Sequence, residues 1–238
     1  MPEPLSNNFA AILVEWYDRT TARHAADMPW RDSRDPYRIW LSEIMLQQTR
    51  VAAAGDYFRR FLASWPSLES LAAAPLDDVL KCWEGLGYYA RARNLHALAQ
   101  TLVRDHGGQF PDNVNALLRL PGIGPYTAAA IASIAFDQRA AAVDGNVIRI
   151  LARLTDLPDD VTLPATQHQL RTLAESLLPD ERAGDYNQAL MDLGRTVCIP
   201  RRPVCEYCPV AAYCLAYERG TQTQRPVKKA KAPLQTVR

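Results

Sequence analysis

Two carboxylates and one run of cysteines are the residues of this sequence whose types and surroundings can do chemistry. Glu43 is flanked at helical spacing by Ile39, Trp40, Leu46 and Gln47, so it shares a mostly apolar stripe where a solvated glutamate would be out of place. Such a setting raises a carboxyl pKa and makes a proton donor near neutral pH. Asp144, in Val143-Asp144-Gly145-Asn146-Val147, stands at the start of a predicted helix and reads either as an N-cap or as an ionised catalytic carboxylate. A protonated glutamate working with an ionised aspartate suits cleavage of a glycosidic bond through an oxocarbenium-like state.

The cysteines Cys198, Cys205, Cys208 and Cys214 form a C-x6-C-x2-C-x5-C run with Pro200, Pro203 and Pro209 interspersed. In an intracellular chain this clustering favours a metal over disulfides. Four thiolates also suit tetrahedral zinc, but zinc ribbons carry two C-x2-C knuckles and here there is one. The spacing therefore points to a [4Fe–4S] cluster, with zinc as the alternative. Cys82, next to Trp83, reads as a core thiol.

A third motif is Leu120-Pro121-Gly122-Ile123-Gly124. Glycines in a turn between helices let a backbone approach a phosphate, and the next helix then presents free amides. An ordinary helix connection explains such a turn equally well on its own. What favours the phosphate reading is that Asp144 follows one helix and a loop later.

The elements that must position these residues are helical. Phe9, Ile12, Leu13, Trp16 and Tyr17 follow the i, i+3, i+4, i+7, i+8 pattern, and Tyr37, Trp40, Leu41, Ile44 and Met45 repeat it. Further helices are predicted over residues 51–62, 76–83, 91–106, 113–118, 127–136, 146–154, 165–178 and 186–197, and alternating strands are absent. The fold class is all-α. Gly85-Leu86-Gly87 is a second tight turn, and from Thr221 the sequence turns polar and Lys-rich, as a linker or tail does.

Composition sets outer bounds. No basic stretch followed by an apolar run opens the chain, and no window approaches the roughly 20 apolar residues of a membrane span, so the expected location is cytoplasmic, with no membrane partner. The formal net charge of +1 does not announce a nucleic-acid binder. It hides an asymmetry: residues 201–238 hold eight Lys or Arg and two Asp or Glu, giving +6 and leaving about −5 for the rest. That basic end is either a solvated tail or a phosphate-contacting region.

Taken together, the strings Trp40 to Thr49, Gly85 to Arg93, Leu120 to Gly124, Val143 to Val147 and the four cysteines resemble the MutY-type adenine DNA glycosylases of the helix-hairpin-helix, endonuclease III superfamily. The first two strings are specific to that family and the others are shared across the superfamily; the match runs from about Phe9 to about Tyr217. The resemblance implies two helical lobes within a catalytic region of residues 1–220, a helix-hairpin-helix element at about 113–137, a [4Fe–4S] loop at 198–214 and a basic linker or tail at 221–238. It implies a monomer associated with the nucleoid and acting on double-stranded DNA at a mispaired base. The reaction would be hydrolytic removal of adenine opposite 8-oxoguanine or guanine.

Residue roles follow from the same resemblance. Glu43 would protonate adenine at N7 and later help activate water, Asp144 would stabilise the sugar cation, and Tyr126 and Asn146 would complete that set. Trp30, Arg31, Leu46 and Gln188 would line the pocket for the extruded base. Gln48 and Tyr88 would wedge into the duplex, with Thr49 and Leu86 beside them and Gly122 and Gly124 gripping a phosphate. For Trp30, Leu46 and Leu86 core packing is the competing reading, and for Arg31 an ion pair with Asp32 or Asp35. Bifunctional relatives place a lysine where this chain has Tyr126, and a tyrosine cannot form a Schiff base, so no efficient lyase activity is expected.

The sequence departs from the family pattern at Ala26, ahead of Asp27, where a basic residue is frequent. Family members also continue into a Nudix-like domain that is missing here, so the sequence is either a catalytic piece or a natural short form. Two other functions compete: a thymine or uracil glycosylase at mismatches with guanine, which Gln47-Gln48 and Gly87-Tyr88-Tyr89 argue against, and a non-enzymatic DNA-scanning protein.

Overall fold

The computed structural model describes residues 7–21 and 28–228, so Ala26 and Asp27 lie outside the described residues. Twelve α-helices and no strand are found among them: α1 (Asn7–Thr21), α2 (Pro36–Leu46), α3 (Val51–Ser64), α4 (Leu68–Ala73), α5 (Leu76–Cys82), α6 (Ala90–His106), α7 (Val114–Leu117), α8 (Pro125–Phe136), α9 (Gly145–Leu154), α10 (Pro164–Ser176), α11 (Ala183–Thr196) and α12 (Leu215–Glu218). None is long and apolar enough to cross a membrane. They gather into two compact units, one holding residues 14–21, 28–142 and 179–187, the other 7–13, 143–178 and 188–228.

The core of the first unit is α2. Asp35 caps it by accepting from the Tyr37 amide at 2.9 Å, and Pro36 presets its first turn. Every residue from Ile39 to Met45 is buried. Trp40, Leu41 and Met45 are at most 1% exposed, and removing each from water contributes about 1.5–3 kcal/mol. A helix buried on every side over seven residues needs neighbours on several sides, and α2 packs on α3, α6 and α8. Its partner α8 is rich in alanine and is buried from Thr127 to Ile134. Gly184, in the first turn of α11, shows how tightly α8 is covered: a Cβ there would lie 2.5 Å from the Ser133 carbonyl oxygen.

One helix of this unit is absent from the sequence expectation. α4, only six residues between Pro66 and Pro75, is too short to display a period, and Ser70 stands where the usual capping box carries Glu or Gln. Ser67 and Ser70 nevertheless cap each other reciprocally, at 3.2 and 3.1 Å, and α4 packs on α6.

The second unit is built on α9, against which α10 and α12 pack. After α11 the chain passes through two 3-10 turns, Cys205–Tyr207 and Ala211–Tyr213, into α12. The expected tail does not begin free at Thr221. Thr221 donates to Asp156 at 2.6 Å, Arg225 pairs with the same carboxylate at 2.9 Å, and the Val161 amide donates to the Val227 carbonyl at 3.0 Å. Residues 221–228 are thus strapped to the end of α9, held by hydrogen bonds that no apolar period could announce.

Candidate functional site

In the first unit, Glu43 occupies the middle of α2 and is 7% exposed, between the buried Ser42 and Ile44. Its carboxyl is carried by a helix whose every neighbour is fixed by packing. The helix against which α2 packs, α8, is the one that carries Tyr126. Tyr126 stands in the first turn of α8, half-buried, one residue ahead of the stretch predicted as helical.

That first turn belongs to the hairpin. Leu120 and Ile123 are buried and anchor the turn, while Gly122 takes φ +80°, a left-handed conformation that a side chain disfavours. Gly124 is the N-cap of α8 and has no side chain to satisfy the helix amides, and Pro125 follows at the first helical position. A glycine cap leaves the first amides of a twelve-residue helix available to an anion. The hairpin is therefore suited to grip a phosphate.

Two loop tips of the same unit carry the expected wedge residues. Gln48, just past α2, and Tyr88, just before α6, are both exposed and both adopt positive φ, +57° and +50°. Thr49 is half-buried and Leu86 is 8% exposed. Among the expected pocket residues, Trp30 is 5% exposed with its ring edge-on to Phe58, as core packing requires, and Leu46 is the half-buried last residue of α2. The Arg31 guanidinium lies 5.9 Å from the Tyr17 ring centroid, a cation–π contact. Cys82 is half-buried, and burial pushes its thiol pKa up.

In the second unit, Asp144 is the N-cap of α9. Its Oδ1 accepts from the backbone amides of Asn146 and Val147, both at 2.8 Å, and its Oδ2 accepts from Asn146 Nδ2 at 2.8 Å. Asn146 Oδ1 in turn accepts from Arg149 Nη2 at 2.9 Å, and Arg149 also donates to the carbonyls of Gly194 and Cys198, each at 2.8 Å. Gly194 permits this approach, since a Cβ there would lie 2.7 Å from Asn146 Cβ. Burial lowers the Arg149 pKa; Cys198 opposes the fall, Arg153 adds to it and Asp144 opposes it. Gln188, also expected in the pocket, is 6% exposed on α11.

The four clustered cysteines are free thiols and half-buried. Burial pushes Cys208 up to about 12 and raises Cys205 and Cys214, and in each case the charge of neighbouring cysteines adds to the rise. Arg153, 1% exposed, donates to Cys198 Sγ at 3.2 Å, to the carbonyls of Cys198, Ile199 and Pro200, and to that of Arg225. Four half-buried sulfurs within electrostatic reach of one another, with an arginine at one of them, fit a group that binds thiolates. Among the described residues, however, no three His, Cys, Asp or Glu side chains converge as on a bound ion. Drawing four thiolates to bonding distance takes the ion's own positive charge.

Arg91, Arg149 and Arg153 hold these segments together, and the sequence reading gave none of them a role. A signal existed for two: Arg149 and Arg153 lie four residues apart on a helix otherwise apolar at those positions, where solvated arginines would be out of place.

Comparison with known proteins agrees with this geometry. Residues 41–179 match the family model described as HhH-GPD superfamily base excision DNA repair protein. The chain is 46% identical over 225 residues to an adenine DNA glycosylase of Mus musculus, covering 91% of this chain and 43% of that protein. It is 37% identical over 223 residues to the adenine DNA glycosylase of Buchnera aphidicola subsp. Schizaphis graminum, covering 94% and 63%. It therefore spans less than two thirds of the length of these relatives. Among solved structures, a thermostable thymine-DNA glycosylase superposes with a TM-score of 0.77 at 32% identity, over 90% of this chain and 96% of that one. An endonuclease III–DNA complex shares the fold, with a TM-score of 0.68 at 23% identity over 87% and 96%.

Proposed function

The chain belongs to the HhH-GPD superfamily of base excision DNA repair proteins, and from that membership we propose that it is a monofunctional adenine DNA glycosylase. The observation that carries this reading is the burial of Glu43 within an apolar helix, together with Asp144 on a scaffold of three hydrogen-bond donors. Glu43 donates its proton to adenine N7, which makes the base a neutral leaving group as the C1′–N9 bond breaks. Asp144 stabilises the oxocarbenium ion that remains, with Asn146 fixing the carboxylate and Tyr126 completing the set. Water then attacks C1′, its proton returns to Glu43, and the product is an abasic site.

The remaining residues bind and orient. Gln48 and Tyr88 enter the duplex beside the mispair, flanked by Thr49 and Leu86, while Gly122 and Gly124 hold a phosphate. Trp30, Arg31, Leu46 and Gln188 receive the extruded base. Cys198, Cys205, Cys208 and Cys214 hold a [4Fe–4S] cluster, which supplies iron–thiolate bonds that tie the loop bearing Arg201 and Arg202 into one piece. The protein acts as a monomer on double-stranded DNA in the cytoplasm, at the nucleoid.

A thymine glycosylase is the second reading, favoured by the 32% identity to a solved thymine-DNA glycosylase. One set of duplexes separates the two: adenine opposite 8-oxoguanine, adenine opposite guanine, and thymine or uracil opposite guanine, each cleaved with and without alkali. Release of adenine with strand breaks only after alkali is expected. Release of thymine or uracil in its place transfers the chain to the second reading.

A further inference from the structure

The α2 C-terminus and the turn before α6 meet on one side chain, Arg91. Its Nη1 donates to the carbonyls of Ile44 at 2.8 Å, Met45 at 3.1 Å and Gln47 at 2.6 Å. Its Nη2 donates to the carbonyls of Leu86 and Gly87, both at 3.1 Å, and lies 3.4 Å from Thr49 Oγ1. The guanidinium stands 5.3 Å from the Trp83 ring centroid and 5.6 Å from that of Tyr88. Trp83 Nε1 donates to the Gly87 carbonyl at 3.1 Å, closing the second turn from the other side.

The last carbonyls of a helix have no partner inside it. In α2 the Leu46 carbonyl is taken by the Thr49 amide at 3.2 Å, and those of Ile44, Met45 and Gln47 are taken by Arg91. A cation at this end also complements the helix dipole. Capping alone does not require the second half of the contact set, which reaches the Leu86-Gly87 turn with the other guanidinium nitrogen. The two segments so joined are those whose tips, Gln48 and Tyr88, hold exposed side chains at φ +57° and +50°. A residue other than glycine or asparagine in that region costs about 1–2 kcal/mol, so each tip keeps its conformation only where its flanks are fixed.

We propose that Arg91 is the positioning residue that sets Gln48 and Tyr88 in fixed register with each other, so that the two side chains enter a duplex as one wedge. This rests on the reading that Gln48 and Tyr88 open DNA. The planar guanidinium is essential to it: two nitrogens aimed in different directions reach two segments at once, whereas a lysine ammonium radiates its donors from a single point.

The test is a double-mutant cycle on duplex opening. 2-Aminopurine, which brightens on unstacking, replaces the adenine opposite 8-oxoguanine, and the full chain is titrated as wild type, Arg91→Lys, Gln48→Gly/Tyr88→Gly, and the triple variant. Glycine removes the wedge side chains while accepting positive φ without strain. Arg91→Lys is expected to lower opening by about tenfold, a coupling within the range for residues in one network. In the double-glycine background it is expected to lower opening no further.

Equal losses in both backgrounds, or an Arg91→Lys protein that does not fold, make Arg91 a helix cap alone and overturn the proposal, as does an undiminished Arg91→Lys. Undiminished opening by Gln48→Gly/Tyr88→Gly removes the wedge and the proposal with it. Adenine release is followed in parallel on the natural duplex. A wild type that opens the duplex without releasing adenine refutes the proposed activity and leaves the positioning role of Arg91 supported by the cycle.

Discussion

Asn146 holds Asp144 by two separate hydrogen bonds, backbone amide to Oδ1 and side-chain Nδ2 to Oδ2, each 2.8 Å long. The bond Asn146 accepts from Arg149 at 2.9 Å fixes which end of its amide faces the carboxylate, because only the oxygen can accept from a guanidinium. Asp144 is therefore an N-cap and an oriented carboxylate at once. The cap and the catalytic reading of this residue do not compete; the cap is what aims the charge.

Asp144→Asn separates the two roles. Asparagine caps a helix about as well as aspartate, so α9 keeps its start. Melting temperature is expected within a few degrees of wild type. Single-turnover adenine release is expected to fall on the order of 10²-fold or more, because the cation loses its charged partner. A variant that melts much earlier and excises normally when folded leaves Asp144 with the cap alone.

Glu43→Gln keeps the shape of the buried side chain and removes its proton. Excision is expected to drop by about 10²- to 10⁴-fold, as on loss of a general acid, with mismatch affinity nearly unchanged. Wild-type rates in a single-turnover assay would take Glu43 out of the mechanism.

The cysteine loop predicts a brown protein after anaerobic purification, with broad absorbance near ~400 nm and about four irons per chain. Stoichiometric zinc without iron would overturn the cluster. Cys198→Ser is expected to damage folding and DNA affinity more than the rate at saturating protein. Arg153→Gln is expected to lower iron content too, since Arg153 donates to Cys198 Sγ and to three consecutive carbonyls of that loop.

Asp156 gives the strap at 221–228 a pH dependence. The Thr221 hydroxyl first, then Arg219 and Arg225, hold its carboxyl below the ordinary aspartate value. A carboxyl depressed on folding stabilises the structure above its unfolded pKa of about 3.9 and loses that contribution as pH falls through the lower folded value. Hydrogen exchange at residues 221–228 is expected to be slow near neutrality and to gain an acid-dependent loosening below about pH 4. Asp156→Asn is expected to loosen the strap at every pH. Equal protection in the two proteins near neutrality would show that the strap is held without Asp156, by bonds such as those from Val161 to the Val227 carbonyl and from Arg153 to the Arg225 carbonyl.

The two candidate carboxylates, the hairpin and the cysteine run stood out in the sequence because each is a local pattern: a glutamate at helical spacing among apolar residues, a glycine turn, four thiols in seventeen positions. The long helices were legible for the same reason. What was not legible is carried by contacts distant along the chain. Arg91 reaches back 47 residues to Ile44, Arg153 reaches forward to Arg225, and Asp156 meets Thr221; nothing in the neighbouring residues announces these partners. α4 failed for the opposite reason, being too short to show a period.

Tyr126 opens the last prediction. It stands in the first turn of α8, directly after the Gly124 cap and Pro125, on the helix that packs against the one carrying Glu43. A phenol can hydrogen-bond a carboxylate but cannot add to C1′ and lose water as an amine does. The unmutated protein is thus expected to break strands only after alkali, and borohydride is expected to trap no covalent complex. A lysine at this position adds its free amine to C1′ of the ring-opened sugar and expels water, giving an iminium whose β-elimination cuts the strand. The half-buried site favours free amine near neutral pH, because burial disfavours the ammonium. Tyr126→Lys is therefore expected to yield a borohydride-trappable adduct and some direct cleavage, at a reduced excision rate. Efficient trapping of the unmutated protein would show that another amine reaches the sugar. A Tyr126→Lys protein that excises adenine and traps nothing would place residue 126 away from C1′ and remove it from the catalytic set.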